Sequence, residues 1–214
     1  MKKRYGFTLS EILLSVGILG LLIAIVTPAI VKVSPSSDKI MARQAYYTAT
    51  STVSNMINNP LFYKYVDETT GIPYKGFDDH TKITYKGKNY EGVSKFADLF
   101  ISHLNYKGSV STNSSYCGAF AGGNGCRTVT TTSGPRWSLY IPLSSNELAA
   151  QIMIDLNGDK GPNCYSGKSG DVCNDPDVVY DQFRMNIFDD GKVIINPNDD
   201  WAAQAIKSTG TFIE

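Results

Sequence analysis

The chain has 214 residues, of which 42% are hydrophobic, enough for one apolar segment and one compact domain of about 150–180 residues. Its 20 Lys and Arg balance its 20 Asp and Glu, so the formal net charge is zero. Such a chain offers no electrostatic platform for nucleic acid, and no nucleic-acid partner is indicated.

Met1-Lys2-Lys3-Arg4-Tyr5 places three positive charges ahead of Gly6-Phe7-Thr8-Leu9-Ser10-Glu11. Residues 12–31 then form an apolar run of twenty, with Ser15 and Thr27 as its only polar members. As an α-helix rising about 1.5 Å per residue, that run spans roughly 30 Å, the thickness of a bilayer core. The basic tip favours an N-terminus left in the cytoplasm and a C-terminal bulk sent across the membrane.

Three plain readings compete for this segment. A secretory signal peptide has an apolar region of about 7–15 residues, shorter than this one, although Thr27-Pro28-Ala29 has the small-x-small form of a cleavage site. A simple N-terminal anchor is the second reading. A buried core helix is the third, and both length and basic flank disfavour it. None of them accounts for Glu11, because an ionised side chain deep in a bilayer costs on the order of 3 kcal/mol or more and calls for a partner. Cleavage after Gly6 would create one, the α-amino group of Phe7, four residues before Glu11. The amine of a neighbouring subunit would serve equally well.

Lys-Lys-Arg-Tyr-Gly6, then Phe7-Thr8-Leu9-Ser10-Glu11, then the apolar run resembles the class III signal of type IV pilins and type II secretion pseudopilins. A Gly before the cut, Phe after it, Glu as fifth mature residue and a leader of six residues carry the resemblance, which is strong over residues 7–33 and weak beyond. Pro28 also falls where these proteins commonly carry a helix-kinking proline. The resemblance implies that a membrane prepilin peptidase and methyltransferase cleaves between Gly6 and Phe7 and methylates the Phe7 amine. It implies that the apolar segment first sits among inner-membrane lipids, with the head outside the cytoplasm, and then packs with other pilin or pseudopilin subunits in a helical filament. Glu11 would there pair with the Phe7 amine of an adjacent subunit, a buried pair that sets axial register more than net stability. Loss of Lys2, Lys3 and Arg4 with the leader would take the net charge from zero to −3.

Pro35 interrupts what in many pilins is one helix, since it lacks an amide proton and clashes with the preceding turn. Ser34-Pro35-Ser36-Ser37-Asp38 reads as a break followed by an N-cap. Helix is expected again over 38–58, where Met41, Ala45, Ala49, Val53, Met56 and Ile57 form one apolar stripe. A bend near Pro28 or Pro35 is therefore expected. Beyond Pro60, residues 93–104 suggest a short helix, with Phe96, Ala97, Phe100, Ile101 and Leu104 on one face. Strands are expected at 82–85, 127–132, 138–141 and 151–155, with a hairpin pairing 182–188 and 192–195 around Asp189-Asp190-Gly191. The fold class is α+β: a long N-terminal hydrophobic helix packed on an antiparallel-sheet head, similar to pilins. The division reads as leader 1–6, membrane or filament-core helix 7–33, joining helix 34–58 and head 59–214.

Cys117, Cys126, Cys164 and Cys173 form two pairs, each with eight intervening residues, in Gly- and Asn-rich stretches. An even number, local spacing and an exported domain suggest two disulfides, the two local ones among three connectivities. Each loop would gain roughly 2–3 kcal/mol from cross-linking in the chain-entropy picture. Zinc is disfavoured because the spacing is not that of structural sites and no His lies near either pair. Redox chemistry is disfavoured by the lack of C-x-x-C.

Asp155, Asn157 and Asp159 alternate along Asp155-Leu156-Asn157-Gly158-Asp159-Lys160-Gly161-Pro162-Asn163, so their oxygens could converge on calcium. Asp171, Asp175 and Asp177 are further candidate ligands. The EF-hand template is not met, because Gly158 stands fourth and Ser166 twelfth. The competing reading is turn chemistry, since Asn-Gly, Gly-Pro and Asp close turns on their own backbone. The segment, with the later Asp181-Gln182-Phe183, also resembles a loop recurring in prepilin-type heads, which in some pseudopilins binds calcium. No enzyme is expected. His80 and His103 are the only histidines, a Cys117–His103 dyad would lose its thiol to a disulfide, and no phosphate-binding or His-Glu-x-x-His motif occurs. Tyr46-Tyr47, Tyr63 and Tyr65 could serve adhesion or subunit packing, with core and interface roles the commoner use of tyrosine. The reading is a structural pilin or pseudopilin subunit of a type IV pilus or type II secretion system; the alternative is an exported binding protein on an uncleaved anchor.

Overall fold

The computed structural model describes residues 8–207 apart from 34–36, 75, 113–125, 141–147, 159, 169, 171 and 176, and the side chains of 25–33 are likewise set aside. The chain divides into two units, Met1–Ser36 and Ser37–Glu214. The first holds helix α1, Leu9–Val33, of 25 residues. Pro28 lies within α1 and does not end it, while Pro35 lies outside the described residues.

In the second unit, α2 runs over Ser37–Ile57. Its buried positions Ala42, Ala45, Ala49, Val53 and Met56 recur every three or four residues, as an amphipathic helix requires, with Thr52 beside them. Small alanines let neighbouring elements approach closely. The guanidinium of Arg43 donates to the carbonyl of Ala205 at 2.7 Å, tying α2 to the last turn of α4, Asp200–Lys207. A two-stranded hairpin, β1 Ile83–Tyr85 and β2 Lys88–Tyr90, precedes α3, Lys95–His103. Phe96, Ala97, Phe100, Ile101 and Leu104 are all buried, as their spacing predicted.

Six antiparallel strands follow in sequential order: β3 Tyr106–Ser111, β4 Cys126–Thr131, β5 Arg136–Tyr140, β6 Leu148–Asp155, β7 Gln182–Phe188 and β8 Val193–Ile195. The register places Val129, Trp137, Ile154 and Phe183 in one row and Leu139, Ile152 and Met185 in the next. These residues share the main core with α2 and α3. Because side chains alternate along a strand, Tyr140 and Met153 point the other way and, with Cys126 and Tyr165, form a second small cluster. Cys164 and Cys173 are joined, as local pairing predicted, and the bridged loop carries Tyr165. Cys126 is disulfide-bonded as well, and Cys117 lies outside the described residues.

The class is α+β, with an N-terminal helix and an antiparallel sheet in the later part of the chain. Among the α-helices and strands, β2, β3 and α4 were not anticipated. The β1–β2 turn uses Lys86 and Gly87, both at positive φ (49° and 75°), where an Asn-Gly pair is the usual signal.

Candidate processing and assembly site

Gly6 and Phe7 lie outside the described residues, so the described part of the motif begins at Thr8. Thr8 and Glu11 form a reciprocal pair at the start of α1. The carboxylate of Glu11 accepts from the Thr8 amide and the Thr8 hydroxyl, both at 2.8 Å. The Glu11 amide in turn donates to the Thr8 carbonyl at 3.1 Å and approaches the Thr8 hydroxyl oxygen at 3.4 Å. This is the capping-box arrangement, in which the third helical residue reaches back to the cap and satisfies amides that the helix leaves unpaired. Ser15 returns its hydroxyl to the Glu11 carbonyl at 2.7 Å, so it too is satisfied within the helix.

Glu11 therefore has a local hydrogen-bonding partner in Thr8, which the sequence reading did not weigh beside the positive charge it called for. Thr8-Leu9-Ser10-Glu11 before an apolar run is itself the sequence signature of a capping box. The cap uses hydrogen bonds along the helix; it leaves the charge uncompensated, so an ion pair remains chemically available to it.

Behind the cap, the side chains of Leu9, Leu13, Leu14, Val16, Leu19 and Leu21 are each at least 61% exposed. Apolar residues surround α1 instead of forming one stripe, the pattern of a helix covered on every side by lipid or by other helices. Among the described residues no helix is long and apolar enough to cross a membrane; in α1 the described side chains run only from Leu9 to Ala24.

In the second unit, the proposed calcium ligands are placed as follows. The Asp155 carboxylate accepts from Arg136 Nη2 and Gln182 Nε2 at 2.9 Å each, and from the Gly158 amide at 2.8 Å. Asn157 donates to the Asp181 carboxylate at 2.8 Å, and its own Oδ1 is buried without a partner among the described residues. Asp181 also takes the amides of Asn163 and Cys164, at 2.9 and 2.7 Å. Asp159 and Asp171 lie outside the described residues, and Asp175 and Asp177 form a local turn. Among the described residues no group of three or more His, Cys, Asp or Glu is placed to hold a metal ion. The described donors fit calcium poorly, because a cation at Asp155 would sit against the Arg136 guanidinium. What this geometry does achieve is mechanical: Asp181 and Gln182 pin the 155–164 loop to β7.

His103 is half-buried, with Nδ1 2.9 Å from the Leu99 carbonyl and its ring stacked on Tyr85 at 5.5 Å. It is a packing residue, not a residue of an open helix face. The first residue of α3 and the segment before it form a charge pair that sequence reasoning missed, Lys95 with Asp79, both fully buried. Burial lowers the Lys95 ammonium and raises the hydroxyl of Tyr63 beside it. For Asp79 burial pulls upward, but the Lys64 amide, the Thr81 hydroxyl and amide and the Lys95 charge hold it below the ordinary carboxylate value.

Residues 1–27 match the family described as the Prokaryotic N-terminal methylation motif. No curated protein and no solved structure matches the chain. Over residues 1–27, then, the chain carries the prepilin-type signal that type IV pilins and pseudopilins share.

Proposed function

We propose that this chain is a structural, non-enzymatic subunit of a helical filament, a pilin or pseudopilin of a type IV pilus or type II secretion system. A prepilin peptidase cuts between Gly6 and Phe7 and methylates the new amine. Helix α1 then holds the subunit in the inner membrane, head outside the cytoplasm, until assembly moves it into a filament core. There Glu11 meets the Phe7 amine of a neighbouring subunit.

The observation that supports this best is the exposure of apolar side chains all around α1, directly behind the matched motif. A helix of that kind needs a covering of lipid or of like helices, and a filament core supplies the second after the membrane has supplied the first. Mass spectrometry of the protein extracted from membranes tests it. The expected N-terminus is Phe7 carrying one added methyl group. An unmethylated start at Met1, or a start near Ile30, would overturn the reading in favour of an anchored or secreted binding protein. A retraction ATPase encoded beside the gene would point to a pilus over a secretion system.

A further inference from the structure

Residues 44–63 contain no Asp, Glu, Lys or Arg, in a chain of which 19% is charged. They make up most of α2, where Gln44, Tyr47, Thr48, Ser51 and Asn55 are all exposed. A helix face turned to water ordinarily carries charge, whereas the centre of an interface is depleted of it.

Two cavities run along one side of this face. The first, of about 590 Å³, lies between Met41, Ala45 and Thr48 of α2 and the buried Leu104 and Trp137. The second, of about 710 Å³, lies between Asn55 and the buried Phe62, with Tyr85 beside them. His103 lines both, so one runs on from the other. Met41, Ala45, Thr48 and Asn55 follow each other by four, three and seven residues, which sets them on one side of the helix over about 21 Å. The floor of this trough is apolar, and its rim carries Tyr47 and Leu61, 55% and 77% exposed. No Asp, Glu, Lys or Arg lines either cavity among the described residues. Charges stand beside it: the Lys86 ammonium is 5.1 Å from the centre of the Tyr85 ring, and Lys107 follows the lining residue Asn105 by two positions.

The same chain holds a segment of matching character. Residues 12–31 are uncharged, and Leu13, Leu14, Leu19 and Leu22 of α1 are exposed apolar side chains that need a cover. At Gly17 and Gly20 an added Cβ would meet nothing within 4 Å, so the backbone of α1 is open there to close approach. Small residues on one helix facing Thr, Asn and Gln on another are a workable helix contact, because they allow short distances and hydrogen bonds without charge. Only residues 34–36 separate α1 from α2 in sequence, so copies staggered along a common axis bring α1 of one beside α2 of another.

We propose that this trough seats helix α1 of a second copy of the chain, with the leucines of α1 lying over Leu104, Trp137 and Phe62. This rests on the filament reading for the presence of a neighbouring copy, and it gives the head a direct part in assembly.

The test uses the full chain in its membrane and filament fractions. A benzophenone amino acid replaces Tyr47 or Leu61, both on the rim, and is photo-activated. The expected result is a product of twice the subunit mass whose second peptide comes from α1. The proposal is overturned if no such product forms, if the cross-link stays within one copy, or if the second peptide belongs to the head or to another protein. Thr48→Glu sets a charge in the trough, while Ser54→Glu sets one at an exposed α2 position that lines neither cavity. Both variants should melt like the parent, since both positions are exposed. Thr48→Glu should enter filaments about tenfold less well, and Ser54→Glu normally. Equal incorporation of the two would also overturn the proposal. Mass analysis of the mature N-terminus keeps the two readings apart. A start other than methylated Phe7 sinks the filament reading, whereas a correct start without an α1 cross-link sinks the trough alone.

Discussion

Lys95 holds its ammonium 2.9 Å from the backbone carbonyl of Asp79 and 3.3 Å from its carboxylate, with both residues fully buried. Asp79 accepts further from the Lys64 amide and the Thr81 amide, each at 2.9 Å. One carboxylate thus ties the first residue of α3 to two points of the preceding segment, the same segment that supplies Tyr63.

The two partners should not be equivalent on removal. Asp79→Ala strands a buried ammonium with only one carbonyl and the face of the Tyr63 ring beside it, whereas Lys95→Met leaves a carboxylate that still accepts from Lys64 and Thr81. Breaking a buried pair costs about 3–5 kcal/mol, so Asp79→Ala should fall in that range and Lys95→Met below it. Urea denaturation of the full chain in micelles measures both. A larger loss for Lys95→Met would show that the pair, and not the isolated charge, dominates.

Asp67 gives the segment 65–74 an acid limit. Its carboxylate accepts from the Thr70 amide, the Tyr74 hydroxyl and the Thr69 amide, and these bonds hold it down at about 2. A folded value below the unfolded one means that the stabilisation is present above the ordinary value of 3.8 and is lost as pH falls toward about 2. Hydrogen exchange at Thr69 and Thr70 should therefore lose protection between those values, after correction for the intrinsic rate. Asp67→Asn should remove the pH step. Unchanged protection at pH 2 would dissociate the carboxylate from the turn.

Gly76 and Gly71 make a matched pair. Both have positive φ, 54° and 69°, so alanine carries a conformational penalty of about 1–2 kcal/mol at either. Only at Gly76 would the new Cβ strike backbone, the Asp189 carbonyl oxygen; around Gly71 nothing lies within 4 Å. Gly71→Ala should lower stability by about that penalty alone, and Gly76→Ala by more than about 3 kcal/mol. Comparable midpoints for the two variants in thermal melts would mean that the β7–β8 turn gives way at little cost.

Much of the head could be read in the sequence because burial there follows period. Phe183, Met185 and Ile187 alternate and are fully buried, and the Phe96–Leu104 face recurs at helical spacing. What escaped has local causes. Helix α4 is only eight residues long, with Ala202 and Ala205 as its buried positions, too short for a periodic signal. Lys95 reads as a solvated helix residue, since nothing local announces a buried ammonium; its role follows from Asp79, sixteen residues earlier. The Thr8–Glu11 cap is legible as four residues in a recognised order, since the hydrogen bonds that close it are local.

Calcium is expected to leave this head unmoved. Arg136 donates to Asp155 and, at 2.6 Å, to the Gly158 carbonyl, so a protein cation already stands against that candidate carboxylate. Thermal midpoints of the full chain with calcium or with chelator should agree. Arg136→Ala, which frees the Asp155 carboxylate, should destabilise the loop by about 1–3 kcal/mol. A calcium-dependent rise in the parent chain would place the ion on residues outside this network.

The last prediction separates two roles of Glu11 that alanine would remove together. Gln at this position can still accept from the Thr8 amide and close the cap, but it carries no charge. Thr8→Ala does the reverse: it removes the hydroxyl donor, at about 1 kcal/mol of helix stability, and leaves the carboxylate charged. If Glu11 acts by pairing with a neighbouring Phe7 amine, Glu11→Gln should be exported, cleaved and methylated normally yet incorporate poorly into filaments. Thr8→Ala should incorporate nearly as well as the parent. The readout is the ratio of sheared filament to membrane pool, with mature N-termini confirmed by mass. If instead the cap is what matters, the order reverses, with Thr8→Ala failing and Glu11→Gln assembling. That reversal would reduce Glu11 to a local element of α1 and remove the inter-subunit charge pair from the account.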